Sequence, residues 1–167
     1  ELPQIQFNPE NFLDFIDRYA FKHYINAYGN PTPQEICYDN KLLEEQIVQH
    51  YLNVFTDFDI RLGQSDHPDG TGLNGYSLIR SDMTENGLAR HIDAKRPACI
   101  TFPLTFPQSI NFHEGSDTYT YDYTSTIVIL NSGSKWHSVS RSTEPRLQFQ
   151  FDCYNSWEEI KGLISGI

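Results

Sequence analysis

The stretch Thr126-Ile-Val-Ile-Leu-Asn-Ser-Gly-Ser-Lys-Trp-His-Ser-Val-Ser-Arg-Ser-Thr-Glu-Pro-Arg-Leu-Gln-Phe-Gln-Phe-Asp152 reads as three β-strands separated by two turns. The runs are Thr126–Asn131, Trp136–Ser140 and Arg146–Asp152. Ser132-Gly133-Ser134 and Ser142-Thr143-Glu144-Pro145 supply the small, polar and ring-constrained residues that break extended chain. The last run alternates strictly: Arg146, Gln148 and Gln150 face one way, Leu147, Phe149 and Phe151 the other. A period of two marks a strand with one apolar and one polar face. An arginine on the inward, polar face of a barrel strand needs an anionic partner, because a buried charge is tolerated only when paired.

Five more runs of the same texture lie upstream: Tyr76–Arg80, Leu88–Ile92, Ala98–Leu104, Ser109–His113 and Thr118–Tyr123. Their breaks are Asn86-Gly87, Pro97, Pro107 and Glu114-Gly115-Ser116-Asp117. Eight short strands at regular spacing predict a sandwich or barrel. Residues 57–74 read as a long surface loop with one short strand, Phe58–Leu62, and a solvated turn at Asp66-His67-Pro68-Asp69-Gly70 that lacks calcium-loop spacing.

The first third reads as helical. Asn8 is a good N-cap, Pro9 suits the first turn, and Phe12, Phe15, Ile16, Tyr19 and His23 share a face over 8–28. Gly29, Pro31 and Pro33 stop that helix, and Thr32-Pro33-Gln34-Glu35 has the spacing of a capping box opening a second. Leu43, Ile47, Tyr51, Val54 and Phe55 continue it with an apolar stripe. Ser156-Trp157-Glu158-Glu159 is another capping box, for a terminal helix over 156–165. The expected fold is mainly β: one domain, 1–167, built on an eight-stranded double-stranded β-helix (a jelly-roll or cupin-like barrel) over 75–153. A helical region, 8–56, packs on one sheet.

Composition narrows the function classes. The chain carries 22 acidic against 12 basic residues, a net charge of −10. That excess argues against a nucleic-acid partner, whose phosphates are bound by Lys and Arg. Cys37, Cys99 and Cys153 are odd in number and far apart, and read as buried thiols of a reducing, cytoplasmic setting. No apolar run has the length of a membrane span, and the first residues lack both the basic start and the apolar core of a signal peptide.

His91-Ile92-Asp93 ends the second run. Residues two apart project from one strand face, so imidazole and carboxylate reach one point in the barrel mouth. His137 opens the seventh run, 46 residues on. Two His and one carboxylate on one face of a metal leave the opposite positions open, the arrangement of non-haem Fe(II) oxygenases. Arg146 follows nine residues after His137 and, through a hairpin at Ser142–Pro145, is expected beside the metal end of its neighbour. Arginine grips a carboxylate with two parallel hydrogen bonds and stays charged when buried.

At these residues the chain resembles the Fe(II)/2-oxoglutarate-dependent dioxygenases. His-x-Asp, a distal His on the seventh of eight strands and an Arg about nine residues on make up that family's core motif. Leu130 to Arg146 looks especially like the aspartyl/asparaginyl and prolyl hydroxylase-like branches, and the retained Asp93 sits closer to the prolyl scheme. The resemblance covers roughly residues 75 to 153. It implies Fe(II) on His91, Asp93 and His137, with 2-oxoglutarate as cosubstrate and its far carboxylate on Arg146. It further implies O2 consumption, release of succinate and CO2, and hydroxylation of an amino-acid side chain or small metabolite.

Tyr76 on the first strand and Thr101 on the third are candidates to add a hydroxyl to the same carboxylate. Arg141 is the rival anchor, placed in the turn, where a solvated side chain is expected. Arg80, Arg90 and Arg96 near the mouth read as surface arginines, with substrate recognition as the alternative. His113 has no partner at ligand spacing, His23, His50 and His67 belong to no constellation, and Trp136 points to the opposite strand face from His137, as a core or lid residue. Two other classes stay open: a metal-binding cupin-type enzyme of different chemistry, which does not need Arg146, and a catalytically silent binding domain.

Overall fold

A computed structural model describes residues 1–26, 28–62, 75–93, 96–105, 108–123 and 125–166. Its elements are α1 (Glu10–Ile16), β1 (Lys22–Ile25), β2 (Pro31–Cys37), a 3-10 turn (Asn40–Glu44), α2 (Gln46–Asp57), β3 (Tyr76–Ser81), β4 (Leu88–His91), β5 (Ala98–Pro103), β6 (Gln108–Glu114), β7 (Asp117–Tyr123), β8 (Val128–Leu130), β9 (Trp136–Val139), β10 (Arg146–Cys153) and α3 (Trp157–Ile164). The expected Asp66–Gly70 turn, His67 and the Pro107 break lie outside the described residues.

The alternation of β10 sets the architecture. This strand runs antiparallel between β3 and β5 in a six-stranded sheet of order β1-β2-β3-β10-β5-β8. On its outer face Phe149 pairs with Phe102 on one side and Leu78 on the other. There Phe12 and Phe15 of α1, Tyr51 and Phe55 of α2 and Ile160 of α3 bury against Phe102, Phe149 and Phe151. Each fully buried aromatic contributes on the order of 1.5–3 kcal/mol by area, and edge-to-face pairs such as Phe102–Phe151 add directional attraction. On the inner face a smaller cluster of Cys99, Ile110, Tyr123, Val128 and Leu130 packs toward the second sheet, of order β4-β9-β6-β7. Two antiparallel sheets with helices on one outer face form the jelly-roll, cupin-like fold expected, with each of the eight strands within two residues of its expected ends.

Several expectations need correction. The helix of residues 8–28 ends at Ile16, and the Lys22–Ile25 segment is a strand instead. The Thr32-Pro33-Gln34-Glu35 stretch is strand β2, not a helix start. Proline normally argues against a strand with neighbours on both sides. Here Pro31 is the first residue of β2, and Pro33 falls where the β1–β2 register shifts, so neither ring removes a ladder bond on which the sheet depends. Gly29, at φ +79°, closes the β1–β2 hairpin rather than ending a helix. Finally, Phe58–Leu62 is no strand; only Leu62 makes an isolated bridge, to Cys153.

The chain from β9 to β10 is not a hairpin either, since the two strands belong to different sheets. Arg146 therefore enters the interior from the wall opposite His137. The three cysteines are buried free thiols, as expected. Among the described residues no helix is long and apolar enough to cross a membrane.

Candidate metal centre

His91 and His137 are direct partners in the β4–β9 ladder, and both side chains turn into the space between the sheets. The Nδ1 of His91 lies 2.7 Å from the Ala89 carbonyl, and that of His137 lies 3.0 Å from the Lys135 carbonyl. A carbonyl only accepts, so both Nδ1 atoms carry the proton and both Nε2 atoms are left with a lone pair. Those Nε2 atoms stand 3.6 Å and 3.8 Å from Oδ1 and Oδ2 of Asp93. One donor atom from each of the three residues lies within 4.8 Å of the others. His137 is buried, Asp93 mostly so, and His91 opens to solvent, with side-chain exposures of 6%, 21% and 40%.

A backbone contact fixes Asp93 relative to His137. Its amide donates to the Ser132 carbonyl at 2.9 Å, and the Gly133 amide donates to the Pro97 carbonyl at 3.1 Å. The turn before β9 is thus laid flat on the segment after β4. A Cβ at position 133 would collide with the Arg96 carbonyl oxygen and the Pro97 backbone, so this close approach requires glycine.

The electrostatics favour ligand-ready forms. Burial pushes His137 below the ordinary imidazole value, against the opposing pull of the Lys135 carbonyl and Asp93. Burial alone would raise Asp93, but the Arg96 guanidinium and His137 outweigh it and hold the carboxyl below its usual range. Neutral imidazole and ionised carboxylate are the states that bind a divalent cation. Two nitrogens and one carboxylate suit ferrous iron and also accept other first-row metals.

Sequence reading missed Arg96, which it placed on the surface. Its side chain is 19% exposed, and Nη2 lies 2.9 Å from Asp93 Oδ2. Nη1 pairs with Asp152 and donates to Gln150 at 3.3 Å. The signal available was the parity of β10, which sends Asp152 inward with Arg146, Gln148 and Gln150; an inward acid needs a cation.

Arg146 is buried on that same face. It donates through Nη2 to the Tyr123 hydroxyl at 2.7 Å and to Gln108 Oε1 at 3.3 Å. Gln108 is held with its oxygen toward Arg146 because its amide nitrogen donates to the carbonyls of Thr105 and Leu147. Among the described residues no carboxylate pairs with Arg146, and its Nε is buried with no hydrogen-bond partner. An unpaired cation with an orphaned donor in a polar interior fits an anionic ligand. Tyr123 is raised by burial despite the adjacent guanidinium, so its phenol keeps a proton to donate.

Tyr76 does not join this group. It is the ladder partner of Phe151 on the outer face and donates to Asn40 Oδ1 at 2.8 Å. Thr101 does face inward, but it is paired with Gln150, four residues along β10 from Arg146, and accepts from the Gln150 amide at 3.3 Å. Arg141 is exposed and donates to the Thr84 carbonyl. Arg80 pairs with Glu35 on the surface. His113 is engaged by Ser138 at 2.8 Å on the outer face of the smaller sheet. Trp136 shares that face, 46% exposed and covered by Arg90, so it is neither core nor lid.

A cavity of about 890 Å³ opens beside Asp93 and Arg96. Its walls are the 131–135 turn, with Asn131, Ser134 and Lys135, and the start of α3 at Ser156 and Trp157.

No known family profile matches the chain, and no curated protein sequence does. Solved structures do. A prolyl hydroxylase from Trichoplax adhaerens, solved in complex with a hypoxia inducible factor peptide fragment, superposes with a TM-score of 0.58 at 13% identity. The match covers 92% of this chain and 78% of that one, and it shows a common fold. A cupin domain from Bordetella pertussis matches over 48% of this chain and 80% of its own at 10% identity, with a TM-score of 0.38.

Proposed function

We propose that the chain is a non-haem Fe(II), 2-oxoglutarate-dependent oxygenase that hydroxylates an amino-acid side chain or small metabolite. The observation that carries this reading is a pair of features on the two facing walls of one interior. One is the convergent His91, Asp93 and His137 donors; the other is the buried Arg146, which meets no carboxylate among the described residues and whose Nε has no hydrogen-bond partner there. A metal-binding barrel of other chemistry has use for the first and none for the second.

In this reading His91, Asp93 and His137 hold the iron, which supplies oxygen activation coupled to conversion of 2-oxoglutarate to succinate and CO2. The protein's own residues do the rest. The Ala89 and Lys135 carbonyls fix the imidazole tautomers. Arg146 grips the distal carboxylate of the cosubstrate, Tyr123 donates its phenolic proton to it, and Gln108 holds the guanidinium in place. Thr101 is a further inward hydroxyl on this wall, as are Ser77 and Ser81 of β3, the latter the ladder partner of Arg146. The cavity that reaches the site at Asp93 and Arg96 is the substrate's entrance in this reading, and it would contribute to rate by positioning the substrate against the iron.

The test is anaerobic titration of the Fe(II)-loaded protein with 2-oxoglutarate, followed by succinate measurement after oxygen is admitted. Saturable binding and succinate release are expected. Metal binding without any response to 2-oxoglutarate would assign the barrel to cupin-type chemistry instead.

A further inference from the structure

Arg96 spans the gap between β10 and Asp93, and its two edges face different partners. The Nε and Nη2 edge places both donors on one oxygen of Asp93, Oδ2, at 3.2 Å and 2.9 Å. The Nη1 corner is fixed by Asp152 and by Gln150, both on β10, which is paired on both sides. Asp152 is nearly inaccessible, with a side-chain exposure of 7%. The other oxygen of Asp93, Oδ1, faces His91 Nε2 and takes no bond from Arg96, whereas Oδ2, 3.8 Å from His137 Nε2, is shared between that face and the guanidinium.

A carboxylate can give a metal one oxygen or two, and chelation with both consumes a second coordination position. An oxygenase of this type needs its open positions for cosubstrate and oxygen. A planar guanidinium fork, held in register from behind, is well suited to occupy one carboxylate oxygen and leave the other. The buried charges agree. Among the described residues, a divalent ion, Arg96 and Arg146 are balanced by Asp93, Asp152 and a dicarboxylate cosubstrate, so these groups together are neutral. Without Asp152 the loaded site would hold an uncompensated positive charge.

We propose that Arg96, anchored by Asp152, is a positioning residue that holds Oδ2 of Asp93 so that the carboxylate takes a single coordination position. This rests on the oxygenase reading and assigns a role to side chains outside its motif. The structural alternative is that Arg96 only pins the segment after β4 onto β10. Pinning uses the Asp152 and Gln150 contacts and does not call for the Nε edge to meet Asp93.

The experiment uses the full chain, anaerobic, with Co(II) as probe ion and 2-oxoglutarate added second. The variants are R96Q, R96K and D152N; D152N keeps the Arg96 charge but releases its anchor. R96Q is expected to bind one Co(II) about 10- to 100-fold more weakly, as for the loss of an outer-shell partner, and is compared at saturating Co(II). Its visible Co(II) spectrum should differ, because the coordination number changes, and its 2-oxoglutarate affinity should fall about 10-fold or more. R96K should recover part of that affinity, and D152N should shift the spectrum the same way by less. Wild-type spectra and 2-oxoglutarate affinities in both R96Q and D152N would overturn the proposal and leave Arg96 a structural pin. If R96Q does not fold, the D152N spectrum decides. A wild-type chain that binds no Co(II) would refute the metal centre itself. One that binds Co(II) and 2-oxoglutarate while the variants match it would refute only the role of Arg96.

Discussion

His91 and His137 face each other across the β4–β9 ladder with ring centroids 4.3 Å apart, and each is anchored through Nδ1 to the carbonyl two residues before it. The repeated anchor aims both Nε2 atoms at one point from adjacent strands. His91→Ala or His137→Ala is therefore expected to remove most bound metal, measured as metal per chain after loading with Fe(II) or Co(II) and desalting. His91 is the cleaner test, because its side chain is the more exposed and its loss disturbs packing less. Stoichiometric metal in the double variant would contradict the site.

The protonation states predict a pH dependence with a definite sign. The folded chain holds His137 below its ordinary value of 6.5, so the unfolded chain takes up that proton first as the pH falls. Stability of the metal-free protein is then full above about pH 6.5 and is lost as the pH drops toward the folded value. Asp93 acts in the same direction further down, since its carboxyl is held below 3.8 and its contribution disappears as the pH falls through the folded value. Thermal unfolding of the metal-free chain should show a flat midpoint from pH 7 to 8 and a decline below. His137→Gln should flatten the first part of that decline.

Much of this was legible in the sequence because a two-residue period survives burial. The run from Arg146 to Phe151 announced its two faces, and the structure puts Phe149 under the helices and Gln148 and Gln150 inside. The β1–β2 hairpin was not legible. Phe12, Phe15 and Ile16 start a true helical stripe, and Tyr19 and His23 continue its spacing by coincidence beyond the last helical turn. What makes Lys22–Ile25 a strand is the neighbouring edge of β3, to which β2 pairs through Ile36–Ile79, a contact no local pattern encodes. The link between β9 and β10 misled in the same way. Its turn chemistry is that of a hairpin, and only the closing of two sheets sends it across the barrel.

The same logic separates the site residues. His91, His137 and Arg146 fall on inward strand positions that the alternation reveals, and Asp93 follows just past the end of β4. Tyr76 was misassigned by a single residue of register; its neighbour Ser77 is the inward one. Arg96, Gln108 and Tyr123 depend on which strands end near one another, and that is tertiary information.

Gly133 offers a test of the backbone contact that aligns Asp93 with His137. Gly133→Ala forces a methyl group against the backbone of Arg96 and Pro97, which cannot yield as a flexible side chain would. The expected cost is about 1–3 kcal/mol, read from denaturant unfolding. Because the turn and the Asp93 segment must separate to make room, metal affinity should fall as well. A variant that loses stability but binds metal as wild type would show that the Asp93–Ser132 contact is not what sets the ligand geometry.

The sharpest prediction weighs Arg146 against Arg141 as the anchor of the proposed cosubstrate. Arg146 is buried among Tyr123 and Gln108 with an orphaned Nε, whereas Arg141 is exposed and spends its donors on the Thr84 carbonyl. Removing one partner of a buried charge-assisted pair costs on the order of 2–5 kcal/mol, which is about 30-fold or more in binding. Arg146→Ala should therefore weaken 2-oxoglutarate by at least that factor while metal content stays near wild type, since none of the three metal donors touches Arg146. Arg146→Lys should restore only part, because an ammonium does not reproduce two parallel hydrogen bonds. Tyr123→Phe removes one donor and leaves the charge, so a smaller loss is expected, roughly 5- to 10-fold, as for a single neutral hydrogen bond left unmade in a buried site. Arg141→Ala should leave 2-oxoglutarate affinity within about twofold of wild type, as expected for an exposed side chain far from the ligand. The measurement is anaerobic titration of the Fe(II)-loaded variants with 2-oxoglutarate. If affinity survives Arg146→Ala and is lost in Arg141→Ala, the cosubstrate lies outside the barrel, and the buried guanidinium serves another anion.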